Sequence, residues 1–298
     1  MPPSITNQSG TFADGNSYTI TGSGFGTKSP AAPLKWDNFE SGNNGDSLAL
    51  RGWGVEVSSN PNPTDSPPVV TTAQAKNGTK SGYANISTGG LCLAYIDGIS
   101  STEVFWSAYF RFVHSDPGSG VHTAKCFRVH AADGPTTHSS SPGVFWGNHM
   151  LAELPDPPGG NSRLNLERGA EPGNNETNVY PSVALAAATW VKCEGYYKHS
   201  TPGSADGTIQ LWLDLALNVS NTAIMTRIAG VTNLWERFLL PFDYTNFCVG
   251  ENWYDDVYVD NTQARVELGN ASTWLACTIP EVQIPSAWSS TSITFTVN

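Results

Sequence analysis

The sequence predicts an all-β protein built as a two-sheet antiparallel sandwich, and three observations predict it. Apolar residues alternate with polar ones at period two in many short segments, which is the signature of strands with one buried face. No segment sustains an apolar 3.6-residue period. The nearest is Pro181–Thr189, PSVALAAAT, which predicts two turns of helix at most. Charged residues are only 14% of the 298, while 29 Gly and 20 Pro punctuate the chain, as expected of many strands joined by tight turns.

The strand signals run in order through Ser17–Thr21, Glu103–Val113, His122–His130, Gly143–Glu153, Trp190–His199, Thr208–Leu215, Trp253–Val259 and Ser292–Val297. Turn clusters such as SDPGSG, PDPPGGN and STPGSADG separate them. In Glu103–Val113, Val104, Trp106, Ala108, Phe110 and Phe112 share the predicted core face, leaving Tyr109 and Arg111 on the other. In His122–His130, Arg128 and His130 share one face and Phe127 and Val129 the other. In Trp190–His199, Lys192, Glu194, Tyr196 and Lys198 alternate with Val191, Cys193, Gly195 and Tyr197.

The net charge of −11 and the lack of a basic run exclude a duplex nucleic-acid partner. No apolar stretch reaches the roughly 20 residues that span a bilayer as a helix. The N-terminus, MPPSITNQSG, has neither a basic region nor an apolar core, so no signal peptide is expected. The five cysteines (Cys92, Cys126, Cys193, Cys248, Cys277) are odd in number and form no CxxC pair. This reads as buried thiols, with at least one disulfide as the alternative. The histidines lack zinc-site spacing, no Gly-rich loop opens a helix, and no G-x-S-x-G occurs.

The ends of the chain resemble two halves of one small domain. PSITNQSGTFADGNSYTITGSGFG, from Pro3 to Gly26, resembles the opening of an IPT/TIG immunoglobulin-like domain. Ala264–Asn298, ending in AWSSTSITFTVN, resembles its closing half. The resemblance implies an Ig-like sandwich split in sequence, residues 1–33 plus 263–298, with a larger domain, 34–262, inserted. The alternative is that the N-terminal piece adds strands to the larger domain.

The insert is similar to the concanavalin A-like lectin/glucanase superfamily. The likeness rests on WDNFESGNNGD (Trp36–Asp46), on TWVKCEGYYKHSTPGSADGTIQLWLD (Thr189–Asp214), and on NWYDDVYVDN (Asn252–Asn261). It implies a jelly-roll sandwich resembling the sandwich polysaccharide lyases and laminin-G-type modules, with a ligand lying across one sheet. That fold hosts lectins, hydrolases, lyases and adhesion modules, so function has to come from the site.

Three strands that look adjacent each offer a polar face, and the candidate substrate-binding residues are Tyr109, Arg111, Lys125, Glu153, Lys192, Glu194 and Lys198. A locally basic groove in an acidic chain suits an acidic polysaccharide. The reading favoured is a carbohydrate-binding protein, extracellular or on a virion surface, whose partners are a glycan and, in assembly, other copies or virion proteins. The alternative is a lyase. Uronate elimination needs a group that neutralises the carboxylate, a base for the C5 proton and an acid for the leaving oxygen. The resemblance implies Arg128 (or Arg111), His130 and Tyr196 or Tyr197 in those roles. The R-x-E-L-R, Q-I-H and Y-F-K-A-G strands of alginate lyases are absent, with RVH at 128–130 and GYYKH at 195–199 as echoes. A glycosidase pair would have to come from Glu153 with Glu194, and a structural shell or fibre role without sugar is a further alternative. The same faces also read as cross-strand pairs that merely stabilise a sheet. No cofactor is required. A structural Ca²⁺ beside Asp37, Glu40, Asp46 and Asp256 is the one metal expectation.

Overall fold

The structure is a computed structural model that describes residues 2–57, 67–86, 91–115, 122–131, 148–154, 162–168, 178–185, 188–227, 229–244, 249–273 and 276–298. Its strands are β1 (Ser4–Gly10), β2 (Ser17–Ser23), β3 (Lys35–Asp37), β4 (Gly54–Val57), β5 (Val69–Thr71), β6 (Ser81–Ile86), β7 (Leu91–Ser101), β8 (Glu103–Ser115), β9 (His122–Ala131) and β10 (Asn148–Leu154). They continue with β11 (Ser162–Arg168), β12 (Asn178–Leu185), β13 (Val191–Lys198), β14 (Gly207–Leu213), β15 (Ala216–Ile224), β16 (Trp235–Tyr244), β17 (Val249–Asp260), β18 (Val266–Gly269), β19 (Pro280–Trp288) and β20 (Ser292–Thr296). Among the described residues the one helical element is a 3₁₀ turn, Leu48–Arg51.

The chain divides into two compact units, Met1–Trp36 with Tyr258–Asn298, and Asp37–Val257. The first carries a five-stranded sheet in the order β1-β2-β20-β19-β18. Its core is Phe25, Val266, Ile293, Phe295 and Val297, with Tyr18, Ile20, Leu268 and Trp288 packed against them.

The second unit is the sandwich. A seven-stranded sheet runs β12-β11-β10-β9-β16-β7-β4, and an eight-stranded sheet runs β15-β14-β13-β8-β17-β6-β5, with β3 pairing β17 as its eighth member. All the ladders resolved are antiparallel; β8 and β13, for instance, pair Val191 with Phe110 through to Lys198 with Glu103. The alternation on β14 is regular, with Gly207, Ile209, Leu211 and Leu213 buried between partly exposed neighbours.

Aromatic rings fill the space between the sheets. Trp106 of β8 stacks on Phe127 of β9 with ring centroids 4.3 Å apart, and Phe238 of β16 and Phe110 of β8 close around them. Each such side chain contributes roughly 1.5–3 kcal/mol by leaving water. Gly195 lies opposite Trp106 in the β13–β8 register. A Cβ there would sit 2.5 Å from the indole, so only glycine lets the ring lie flat on the strand.

The segment 181–185, expected to begin a short helix, is the end of β12, where Val183 pairs with Leu164 and Ala184 with Arg163. Tertiary pairing overrides the weak helical preference of the alanines. Cys92, Cys193 and Cys277 are buried free thiols. The side chains of Cys126 and Cys248 lie outside the described residues. Among the described residues no helix is long and apolar enough to cross a membrane.

Candidate functional site

Strand membership separates residues that the sequence places together. Strand β9, with Arg128 and His130, belongs to the seven-stranded sheet, whereas β8 and β13 are neighbours in the eight-stranded one. Phe127 packs inward on Trp106, so Arg128 and His130 point to the outer surface of their own sheet. Tyr109, Arg111, Lys192, Glu194, Tyr196 and Lys198 lie on the face of the other sheet that points away from Trp106, where Tyr109, Lys192, Glu194 and Tyr196 are nonetheless buried. The expected groove floor of three adjacent strands does not exist, because period-two patterning sorts faces but does not assign strands to sheets.

The seven-stranded surface is built by β9, β16 and β7 side by side. In one row Arg237 of β16 pairs with His130 on one side and with Asp97 of β7 on the other. In the next row Leu239 lies between Arg128 and Tyr95. Directly opposed residues in antiparallel strands point to the same side. Phe238, between the two rows, packs into the aromatic core. Arg237, His130, Arg128, Tyr95 and Asp97 therefore share one outer face around Leu239.

This cluster is tightly held. The Arg237 guanidinium makes a two-pronged contact to Asp97, Nε to Oδ1 at 2.5 Å and Nη2 to Oδ2 at 2.9 Å, and its Cζ lies 3.8 Å from the Tyr95 ring centroid. A fork of this kind fixes the guanidinium plane as well as its position. Tyr95 rests on Gly54 of β4, its partner in register. A Cβ on Gly54 would come within 2.2 Å of the phenol ring. Arg128 and His130 are each about 5% exposed and Arg237 is 8% exposed. Asp97, with its side chain 49% exposed, is the solvent-facing member of the cluster.

Of this cluster, sequence reasoning named Arg128 and His130 and did not name Tyr95, Asp97 or Arg237. A signal for them existed. Asp97 is the lone charge of β7 (LCLAYIDGISS), and Arg237 follows Glu236 in β16 (WERFLLPFDY), so both are charges on strands of a charge-poor chain.

On the eight-stranded surface the named residues pair with one another. Tyr196 donates its phenol hydrogen to Glu103 Oε2 at 2.8 Å, and Lys198 Nζ reaches Glu103 Oε1 at 3.1 Å. Burial, together with the Glu103 carboxylate, pushes the Tyr196 phenol well above its ordinary range. Lys192 lies 3.8 Å from Glu194. Arg111 stands 4.6 Å over the Trp253 ring, and Lys76 stands 5.1 Å over Tyr109. Tyr83 donates to Glu251, and burial with that bond pushes its phenol up to about 12. Tyr197 lies on the other side of β13, fully buried in the core 6.1 Å from Trp235, where no polymer substrate reaches it. Lys125 and Glu153 fall on β9 and β10 at positions whose side chains lie outside the described residues.

The carboxylates expected to hold calcium are engaged by protein donors. Asp37 receives Arg51, the Trp53 indole at 2.8 Å and the Phe39 amide at 2.9 Å. Glu40 receives the Thr79 and Lys80 amides, and Asp46 the Asn43 amide. Asp256 receives the Asn77 side chain. This donor set does not fit a calcium cage, and among the described residues no group of three or more His, Cys, Asp and Glu could hold a metal ion.

No family model matches the sequence, and no curated protein matches it either. Solved structures do match the fold. A variant of an alginate lyase in complex with alginate trisaccharide superposes with a TM-score of 0.54 at 15% identity, over 78% of this chain and 99% of that one. A variant in complex with alginate tetrasaccharide gives 0.53 at 15%, over 76% and 96%. An alginate lyase from a Chlorella virus gives 0.51 at 12%, over 77% and 100%. At these identities the likeness is one of fold: the chain is built on the β-sandwich that these polysaccharide lyases use.

Proposed function

We propose that the protein binds an acidic polysaccharide on the outer face of the seven-stranded sheet and cleaves it there by β-elimination. The observation that carries the reading is the convergence of Arg128, His130, Arg237 and Tyr95 on adjacent strands of a lyase-like sandwich. Elimination from a uronate needs its carboxylate neutralised, its C5 proton removed and its leaving oxygen protonated. In this assignment Arg128 faces the carboxylate, His130 takes the C5 proton and the Tyr95 phenol protonates the leaving oxygen. Arg237, clamped by Asp97, holds the Tyr95 ring in place and is a positioning residue. The charge balance closes, since one proton is taken up by His130 and one is released by Tyr95. Solvent restores both. The neighbours bound to alginate oligosaccharides support the ligand class, a carboxylate-bearing polymer. The flanking unit is proposed to be an Ig-like carrier for a protein that works outside the cell or on a virion.

The test is incubation with a panel of acidic polysaccharides while absorbance near 235 nm is followed. A rise marks the unsaturated product of elimination and supports cleavage. Binding on a glycan array with no rise overturns cleavage and leaves a lectin. Neither binding nor a rise overturns the carbohydrate reading as a whole.

A further inference from the structure

The flanking unit contains a buried charged group that the sandwich chemistry does not use. Lys28 follows β2, Asp260 ends β17, and both are buried, at 7% and 1% exposure. Lys28 Nζ is in direct contact with Asp260 Oδ2. Tyr258, fully buried, connects the two a second way: Lys28 Nζ donates to the phenol oxygen at 3.2 Å, and the phenol donates to Asp260 Oδ2 at 2.7 Å. The Lys28 ammonium also lies 5.6 Å from the Trp288 ring and 5.8 Å from that of Tyr258, so rings wall off the contact. The other charges nearby belong to Arg265 and Glu267, which pair with each other at 3.1 Å.

We propose that Lys28 and Asp260 condense to an intramolecular isopeptide bond, with Tyr258 relaying the proton from amine to leaving oxygen. Lys28 Nζ attacks Asp260 Cγ, the Nζ–Cγ bond forms and the Cγ–Oδ2 bond breaks. The ammonium loses two protons, and both leave with Oδ2 as water. Ammonium plus carboxylate gives amide plus water, so no activating reagent is needed. Tyr258 is suited to the relay because it accepts from the nucleophile and donates to the oxygen that departs. Burial and the Asp260 charge hold its proton far more tightly than usual, so it remains a donor.

Amide formation between free groups in water is unfavourable, but here two conditions change. The reactants are fixed side by side, and oriented intramolecular pairs reach effective molarities of about 10⁵–10⁸ M. A buried ion pair also carries a desolvation penalty that a neutral amide does not. The bond would tie the two separate chain segments of this unit together, one before the sandwich in sequence and one after it.

Intact-mass spectrometry of the denatured full chain tests this. The expected mass lies one water, about 18 Da, below that of the sequence, and digestion gives a branched peptide joining the Lys28 and Asp260 segments. Lys28→Arg keeps the charge, removes the nucleophile and restores the full mass. In Asp260→Asn the leaving group is ammonia, so the deficit becomes about 17 Da. Tyr258→Phe slows the approach to the lighter mass at least 10-fold. A wild-type chain that stays at full mass after prolonged incubation overturns the proposal, as does a deficit that persists in Lys28→Arg. An unchanged rate in Tyr258→Phe overturns the relay.

Discussion

The two outer surfaces of the sandwich draw on the same residue types and use them differently. On the eight-stranded face Lys198 and Tyr196 share Glu103, Lys192 faces Glu194, and Arg111 and Lys76 lie over aromatic rings. Each interaction is satisfied between neighbouring strands, which is how a sheet surface stabilises itself. On the seven-stranded face Arg128, His130 and Arg237 occupy consecutive registers of two adjacent strands, and Tyr95 is locked beneath Arg237. This face brings three nitrogen-bearing side chains together, with the Asp97 carboxylate on Arg237, an arrangement that matches the carboxylate-bearing ligand proposed. A polar strand face is therefore weak evidence for a site. Crowding of like groups across strands is stronger evidence.

The largest expected effect separates the faces directly. His130→Ala lowers the rate of absorbance increase at 235 nm by about 10²–10⁴-fold, the usual contribution of a positioned proton-transfer group. Arg128→Met follows with about 10²–10³-fold, as for loss of one oxyanion-stabilising donor. Both variants should melt near the wild-type temperature, which keeps the loss chemical. Activity that survives both substitutions but disappears in Tyr196→Phe moves the site to the other sheet.

Gly54→Val asks whether Tyr95 has to be where it is. The new side chain meets the ring at 2.2 Å and must displace it, carrying Arg237 along. A misplacement of about 1 Å can cost 10²-fold in rate, so a loss of roughly 10–100-fold in kcat is expected. Tyr95→Phe, which keeps the ring packing and removes the phenol proton, should lose at least as much. If Tyr95→Phe is fully active, Tyr95 is not the acid.

The sequence made part of this legible. The split of β8 into an inner Val104-Trp106-Ala108-Phe110-Phe112 face and an outer Tyr109-Arg111 face follows from period two alone, and the stacking of Trp106 on Phe127 agrees with it. The faces of Arg128 and His130 on β9 follow in the same way. What local pattern cannot carry is the partner of a strand. β9 pairs with β10 and with β16, far away in sequence, and not with β8 or β13. That long-range choice decides which residues share a surface. Tyr95 and Arg237 were hidden for a related reason, since β7 (LCLAYIDGISS) and β16 (WERFLLPFDY) show no clean period-two alternation of apolar and polar residues.

The pH dependence sharpens the comparison, because a histidine between the sheets titrates for stability alone. His199 stacks on Trp235 with ring centroids 3.9 Å apart and bonds Thr226 at 3.1 Å. Burial, helped by Arg227, lowers its pKa from 6.5 to about 3. As pH falls through 6.5 the unfolded chain takes up a proton that the native state refuses, so stability drops by up to about 1.4 kcal/mol per pH unit until about pH 3. Urea unfolding at pH 6.5 and pH 5 should differ by about 1–2 kcal/mol from this group. His199→Phe should flatten that slope while leaving the pH profile of cleavage unchanged. A cleavage profile that shifts with His199→Phe would mean that acid inactivation is unfolding rather than a change at the site itself.

The smallest effect belongs to the eight-stranded face. Lys198 is 47% exposed at its side chain and meets Glu103 near solvent, where an ion pair contributes about 0.2–1 kcal/mol and weakens with salt. Lys198→Met should leave the cleavage rate within about two-fold and shift stability by less than about 1 kcal/mol. Tyr196→Phe should cost somewhat more, because it strips a hydrogen bond to a carboxylate from a buried phenol, at about 1.5–3 kcal/mol. Rates measured for the two variants in parallel make the comparison quantitative. If both lose stability and keep rate, this face is the structural side of the sandwich. A loss of rate without a loss of stability at Lys198 would instead place a cation-dependent step there, and the assignment of roles to Arg128 and His130 would have to be withdrawn.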